Sequence, residues 1–339
     1  GQFGSRLLGG KDSAQTRYIY TKPCQVTRIL FDNRDDSVLN MLEDDGKLIE
    51  PDHYVPIIPI ILVNGSEGIG TGFSCYVPPH NPEDIKQNIF RLMNGKSLVK
   101  MSPWFRGFKG TIKQTDDNTW LSEGVWTISG NCIHITELPP GRWTQDYKEY
   151  LDGMVDKGEI TSFVNNSTTD YVNFEVSGYT GQDITNDFKL HKNIRTSNMH
   201  LFHPTHGIKK YATAEEILAD FIELRMVLYN KRKCHMISIL TEQTQILSDK
   251  SRFIQMVVDE NIIIFRRKRD SIESELERLS FKKIGGNYDY LLDIKTYQYT
   301  DEAINRMNKE VHNKQSELTI LRKTSFKQMW QNDLESLKV

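Results

Sequence analysis

All eleven prolines lie at or before Pro204, and from residue 209 to residue 284 the chain carries neither proline nor glycine. A run that long without either breaker favours long helices over sheet. Within it Phe221, Leu224 and Leu228, then Met236, Ile239 and Leu240, recur at helical spacing, as do Ile272, Leu276 and Leu279 further on. Gly285-Gly286-Asn287 marks a break. A last helix is expected from about Asp301, with Thr300 as its N-cap. It places Ile304, Met307, Val311, Leu318 and Leu321 on a near-heptad stripe that Lys314 and Ser325 interrupt. Two long helices around the Tyr/Leu-rich stretch 288–299 predict an antiparallel coiled coil with a small globular tip.

Residues 23–205 read differently. They hold most of the glycine and aromatic residues and several β-rich runs, at 57–63, 110–113, 125–129, 132–135 and 171–176. Helical patterns intervene at 37–42, 82–93 and 144–157. The fold class is therefore α+β: a mixed α/β domain followed by long helices. At 339 residues the chain is long enough for about two domains.

The formal net charge of −2 excludes a uniformly basic nucleic-acid binder. The charge is patchy, however. Residues 1–30 carry Arg6, Lys11, Arg17, Lys22 and Arg28 against only Asp12, and a second basic stretch spans 82–114. A basic face can sit behind a neutral total. Cys24, Cys75, Cys132 and Cys234 form no Cys-x-x-Cys pair, which fits free thiols and a reducing compartment. The longest apolar run, 54–63, is broken by Pro56 and Pro59 and is too short to span a bilayer, so no membrane partner is expected. The chain opens on Gly-Gln-Phe-Gly without a signal peptide and reads as a piece of something longer.

Arg17-Tyr18 is the pair with the most chemistry. A tyrosine hydroxyl ionises near pH 10, and adjacent positive charge favours the phenolate a nucleophile needs. An arginine can instead clamp a phosphate oxygen and stabilise charge in an in-line transition state. On an ideal strand the two would point to opposite sides, so direct pairing needs a loop. Gly65, Gly68, Gly70 and Gly72 form a glycine-rich loop after an apolar strand. No Gly-Lys-Ser/Thr follows, and Pro78-Pro79 cuts off the helix of a dinucleotide fold. Two readings stay open: a tight turn with close backbone approach, or a loop presenting Ile69 as an apolar wedge between bases.

The remaining clusters are weaker. The acidic group Asp32, Asp35, Asp36, Glu43, Asp44 and Asp45 lacks the order of a calcium loop and reads as a solvated helix surface. His200, His203 and His206 are spaced by three, but Pro204 breaks helical ligand spacing, so a surface loop is expected and no metal site. Glu137 and Asp146 are too isolated to act as an acid/base pair. Arg142-Trp143 follows the rigid Pro139-Pro140 turn and suits either a phosphate backbone or domain packing. Lys250 and Arg252 lie mid-helix and suit a solvated face or a contact for passing DNA.

Several motifs, in one order, resemble the type IIA DNA topoisomerases, specifically eukaryotic-type topoisomerase II. Gly1-Gln-Phe-Gly-Ser-Arg-Leu, Gly9-Gly-Lys-Asp and Arg17-Tyr-Ile-Tyr-Thr are similar to its catalytic segment. Pro56-Ile-Ile-Pro and Asn64-Gly-Ser-Glu-Gly-Ile-Gly-Thr-Gly resemble its DNA-bending segment. Arg142-Trp-Thr-Gln-Asp-Tyr-Lys-Glu, Asp220-Phe-Ile-Glu-Leu-Arg, Ser251-Arg-Phe-Ile, Tyr288-Asp-Tyr-Leu-Leu and Met329-Trp-Gln-Asn-Asp-Leu follow in family order. Leu8 and Gln15-Thr16 depart from common family residues and suggest a divergent lineage, such as that of a large DNA virus.

The resemblance implies roles. Tyr18 would be the nucleophile that forms a 5′-phosphotyrosyl link, Arg17 the transition-state stabiliser and Ile69 the intercalator that bends DNA. Lys11, Arg142, Trp143, Lys250 and Arg252 would be further DNA contacts. Residues 1–22 would end a winged-helix domain, 23–210 would form the tower, and 211–339 the coiled coil and C-gate. Double-stranded DNA, a second copy of the chain and the rest of the same polypeptide would be the partners. Mg²⁺ would be held by ligands outside this chain, and ATP would be used by the full-length enzyme. The location would be the nucleus for a cellular member, or the host cytoplasm or nucleus for a viral one. The rival readings are a non-catalytic DNA-architectural or coiled-coil scaffold, and a tyrosine recombinase or rolling-circle nuclease. The latter need a basic catalytic cluster or a His-x-His pair, and neither is present.

Overall fold

A computed structural model describes residues 2–203 and 207–338. The chain divides into two compact units. The first comprises residues 1–32, 53–225 and 333–339, and the second residues 33–52 and 226–332.

The centre of the first unit is a helix packed on a four-stranded antiparallel sheet. The strands Val125–Ser129, Cys132–Glu137, Phe174–Ser177 and Ser162–Asn165 are neighbours in that order. Strand alternation buries Ile133 and Ile135 opposite Val176 and Phe174. The helix Thr144–Asp156 answers with Tyr147, Leu151 and Met154, spaced to form one buried stripe. Each such side chain contributes about 1.5–3 kcal/mol by leaving water. Beside this lies a three-stranded sheet of Thr111–Asp116, Thr119–Glu123 and His191–Arg195, with Thr119–Glu123 central. The helix Pro82–Met93 begins as its sequence dictates: Asn81 accepts from Glu83 N at 2.9 Å, and Pro82 takes the first turn, where no donor is needed.

Two hairpins complete the unit, Ser66–Gly70 with Phe73–Val77 and Met199–His203 with Gly207–Tyr211. Tyr76 N donates to Asn198 O at 2.9 Å and joins them edge to edge.

In the second unit the end of the helix Ala214–Val258 runs antiparallel to the helix Asp301–Lys323. Lys233 Nζ donates to Arg322 O at 3.2 Å, while Ser251 Oγ meets Asn308 Oδ1 at 2.5 Å. Rising numbers on one helix thus meet falling numbers on the other. Thr300 caps the second helix by accepting from Ala303 N. Within 288–299, Tyr288 and Leu291 are buried with Phe253, Ile272, Leu276 and Phe281.

Four sequence expectations are corrected. The apolar run 57–63 is not a strand: Pro59 precedes a short helix, Ile60–Asn64, which buries Leu62. The pattern at 37–42 is not a helix, but a 3₁₀ segment, Asn33–Val38, followed by the strand Met41–Asp44. The long helix stops at Val258 without glycine or proline, where Glu260 takes a left-handed φ of +60°. The acidic group is not a solvated helix face: Asp35 is buried and faces the buried Arg232 at 3.4 Å. Among the described residues no helix is long and apolar enough to cross a membrane.

Candidate functional site

The segment that carries Tyr18 is fastened at its start. Ser5 N and Ser5 Oγ both donate to the Asp12 carboxylate, at 2.9 and 2.6 Å, closing a loop. Those two bonds, the hydroxyl's foremost, hold the Asp12 pKa below the usual carboxylate range. Gly9 takes a φ of +61° and lies so close to Trp143 that a methyl group there would overlap the indole. Gln145 N donates to Leu7 O at 2.9 Å, and Arg6 pairs with the buried carboxylate of Glu137. Glu137, isolated along the sequence, is therefore the internal counter-charge that anchors this loop. Lys11 reaches Asp146 at 3.9 Å, with both side chains well exposed.

A 3₁₀ turn, Thr16–Tyr18, brings Arg17 and Tyr18 together. Tyr18 N donates to Gln15 O at 2.8 Å, and the Arg17 guanidinium lies over the Tyr18 ring, 5.0 Å from its centroid. The opposite-sides geometry of a strand does not apply. Tyr18 is 63% exposed, so its hydroxyl is open to a large partner.

Ile69 lies in a strand of a hairpin, paired with Ser74, rather than in a loop. The two-residue turn Thr71-Gly72 closes the hairpin with Gly72 at φ +81°. At its base Gly65 is required, since a Cβ would strike Val77 O. Ile69 itself is 87% exposed.

A cavity of about 780 Å³ opens in the same unit. Arg6, Arg106, Arg142, Lys192 and Arg195 line it, and among the described residues Glu67 is the one acidic side chain in its wall. Arg142 Nε is buried without a hydrogen-bond partner among the described residues, and Trp143 stands beside it in the wall. Lys192 Nζ donates to Gly141 O at 3.3 Å. Desolvation, and then the Arg142 charge, lower the Lys192 pKa. This excess of positive charge suits a polyanion. Lys192 and Arg195, together on the strand His191–Arg195, lie far along the chain from Arg6, from Arg106 in the 82–114 stretch and from Arg142; only folding gathers them.

Lys250 and Arg252 lie in the second unit. Arg252 stacks on Phe281, 3.9 Å from the ring centroid, and faces Asp249 at 3.6 Å. His200 and His203 belong to the strand Met199–His203, not to a surface loop, because cross-strand bonds to 207–211 extend them. His206 and Pro204 lie outside the described residues. Among the described residues no group of three His, Cys, Asp or Glu could hold a metal ion. All four cysteines are free thiols.

An exposed tyrosine–arginine pair, an exposed apolar hairpin tip and a basic cavity on one mixed α+β unit are chemistry suited to a nucleic-acid backbone. The profile of the DNA gyrase/topoisomerase IV A-subunit family matches residues 1–335, and the chain belongs to that family. It is 36% identical to DNA topoisomerase 2 of Arabidopsis thaliana, over 99% of this chain and 26% of the relative. The mitochondrial DNA topoisomerase 2 of Dictyostelium discoideum is 38% identical, over 100% of this chain and 28% of the relative. DNA topoisomerase 2 of Acanthamoeba polyphaga mimivirus is 33% identical, over 99% and 33%. The solved Plasmodium falciparum topoisomerase II DNA-binding, cleavage and re-ligation domain matches with a TM-score of 0.83 at 35% identity, covering 99% of this chain and 51% of that one. The chain thus spans about a quarter to a third of the length of these curated relatives.

Proposed function

We propose that this chain is the DNA-cleavage and gate portion of an ATP-hydrolysing type II DNA topoisomerase, an isomerase that breaks one duplex, passes a second through it and reseals the first. The observation that carries the reading is the exposed Tyr18 hydroxyl with the Arg17 guanidinium against its ring. Tyr18 Oη attacks a backbone phosphorus. A 5′-phosphotyrosyl bond forms, the bond to the 3′ oxygen breaks, the phenolic proton goes to solvent, and the 3′ oxygen takes a proton from solvent and leaves as a hydroxyl. Arg17 binds a non-bridging oxygen as charge builds there. The ester conserves the energy of the broken bond, so resealing is the reverse attack and needs no ATP.

In this reading residues 1–22 end a winged-helix domain, 23–210 form the tower and 211–339 the coiled coil and C-gate. Lys11, Arg142 and Trp143, with Lys250 and Arg252 further along, contact the DNA backbone. Ile69 enters a base step and bends the cut duplex, an apolar wedge of the kind that unstacks neighbouring bases. Two copies make paired cuts. Mg²⁺ is assigned to ligands elsewhere, and ATP to a part of the full-length polypeptide outside this chain. The eukaryotic and mimivirus relatives support a nuclear or viral-factory location.

Tyr18→Phe in the full-length polypeptide tests the reading. It is expected to abolish covalent protein–DNA adducts, trapped on suicide substrates, and to leave DNA affinity unchanged. Undiminished adducts would reject the assignment, and an adduct on the 3′ end would point to recombinase-like chemistry instead.

A further inference from the structure

The hairpin Met199–His203/Gly207–Tyr211 has two unlike faces. One anchors it: Met199 and Tyr211 are buried, and Lys209 Nζ and Tyr211 Oη both donate to Asp220 Oδ2, at 2.6 and 2.9 Å. The other is bare. Phe202 and Ile208, a register pair across the strands, are 84% and 69% exposed. Side chains that large gain nothing for the fold by standing in water.

Their position is specific. Cys75 Sγ donates to His200 O at 3.0 Å, which seats this hairpin against the one that carries Ile69. Ile69, Phe202 and Ile208 then line a single groove of about 420 Å³, with Gly68 and Gly70 in its wall. A Cβ at Gly68 would meet nothing, so the groove is open there. Among the described residues no acidic side chain lines it. Lys210 follows Ile208 by two positions on the strand and so projects from the same face. An apolar floor with a lysine on the adjoining strand face fits a partner that is apolar at its centre and anionic at its edge. An opened base step has that chemistry: bare base faces and sugars flanked by phosphates.

We propose that Phe202 and Ile208 are the second half of a DNA-bending device, packing on the base and sugar edges of the step that Ile69 opens and so holding the kink. The proposal rests on the reading of Ile69 as a wedge. A wedge alone leaves the opened step free to close. Two further apolar side chains in the same groove give the unstacked base a surface to cover.

The test uses the full-length polypeptide and a duplex carrying end fluorophores for bending and 2-aminopurine at the step for unstacking. Phe202→Ala/Ile208→Ala, both at exposed positions, is expected to keep the thermal melting point. It should lower the bent fraction and the cleavage rate about tenfold on matched DNA, in line with the loss of one base-stacking contact. A mismatch at the step, which unstacks easily, should restore cleavage, and Phe202→Leu/Ile208→Val should keep most of it; a merely structural role would respond to neither. Wild-type bending by the double alanine variant, while Ile69→Ala loses it, overturns this proposal and leaves the wedge. Normal bending by Ile69→Ala removes the wedge and this proposal with it. Wild-type bending with altered self-association would mark the groove as a contact between copies of the chain, and also overturns the proposal.

Discussion

At the scale of the residue, chemistry depends on the local turn. Arg17 and Tyr18 are neighbours in sequence, yet neighbours on a strand diverge. The 3₁₀ turn Thr16–Tyr18 converts adjacency into contact and leaves the tyrosine exposed. On the proposed function, the guanidinium over the Tyr18 ring is the charge that meets a phosphate oxygen. Arg17→Ala is therefore expected to slow single-turnover cleavage by about 10²–10³-fold, the range for removing one preorganised donor to a developing oxyanion. Arg17→Lys should recover part of the rate, since it restores charge without the planar fork. An equal rate in Arg17→Ala would place the stabilising charge on another side chain.

At the scale of the element, close approach decides how the segment carrying Tyr18 is held. The loop before Tyr18 is held by Gly9 against Trp143, by Arg6 on Glu137 and by Leu7 O on Gln145 N. Gly9→Ala adds a methyl group at a left-handed φ and drives it into the indole. The expected cost is about 1–3 kcal/mol. It should appear as a lower thermal midpoint and as a cleavage rate reduced more than DNA affinity. Unchanged cleavage would mean that this docking does not position Tyr18. The same scale explains what is legible in the chain. The helices Pro82–Met93 and Thr144–Asp156 match the sequence reading because their apolar spacing lies within each segment, with the Asn81 cap added at the first. The short helix Ile60–Asn64 reads as a strand in sequence because an apolar run has no period of its own; Pro59 and the surrounding burial decide it. The end of the helix at Val258 is not legible, because Glu260 supplies a left-handed turn that sequence normally assigns to glycine.

At the scale of the molecule, a buried titratable group links stability to pH. His80 is buried, with its backbone N donating to Leu62 O at 2.7 Å. Burial lowers its pKa from 6.5 to about 4. As pH falls the unfolded chain takes up the proton first. The contribution of neutral His80 is thus complete above about pH 6.5 and is lost as the pH drops toward 4, by about 2 kcal/mol at pH 5. Urea midpoints between pH 7 and 5 should fall, and His80→Gln should flatten that slope; an identical slope in the variant would assign it to other groups.

The helical spacing inside the breaker-free run and the Thr300 cap were determined by the chain alone, because each depends on residues within a few positions of one another. The gathering of Arg6, Arg106, Arg142, Lys192 and Arg195 around one cavity, the buried Asp35–Arg232 pair and the meeting of Ile69 with Phe202 and Ile208 were decided only in the tertiary structure. Those contacts join segments brought together by packing, and short-range backbone preference carries no information about which distant charges or apolar side chains will share one space.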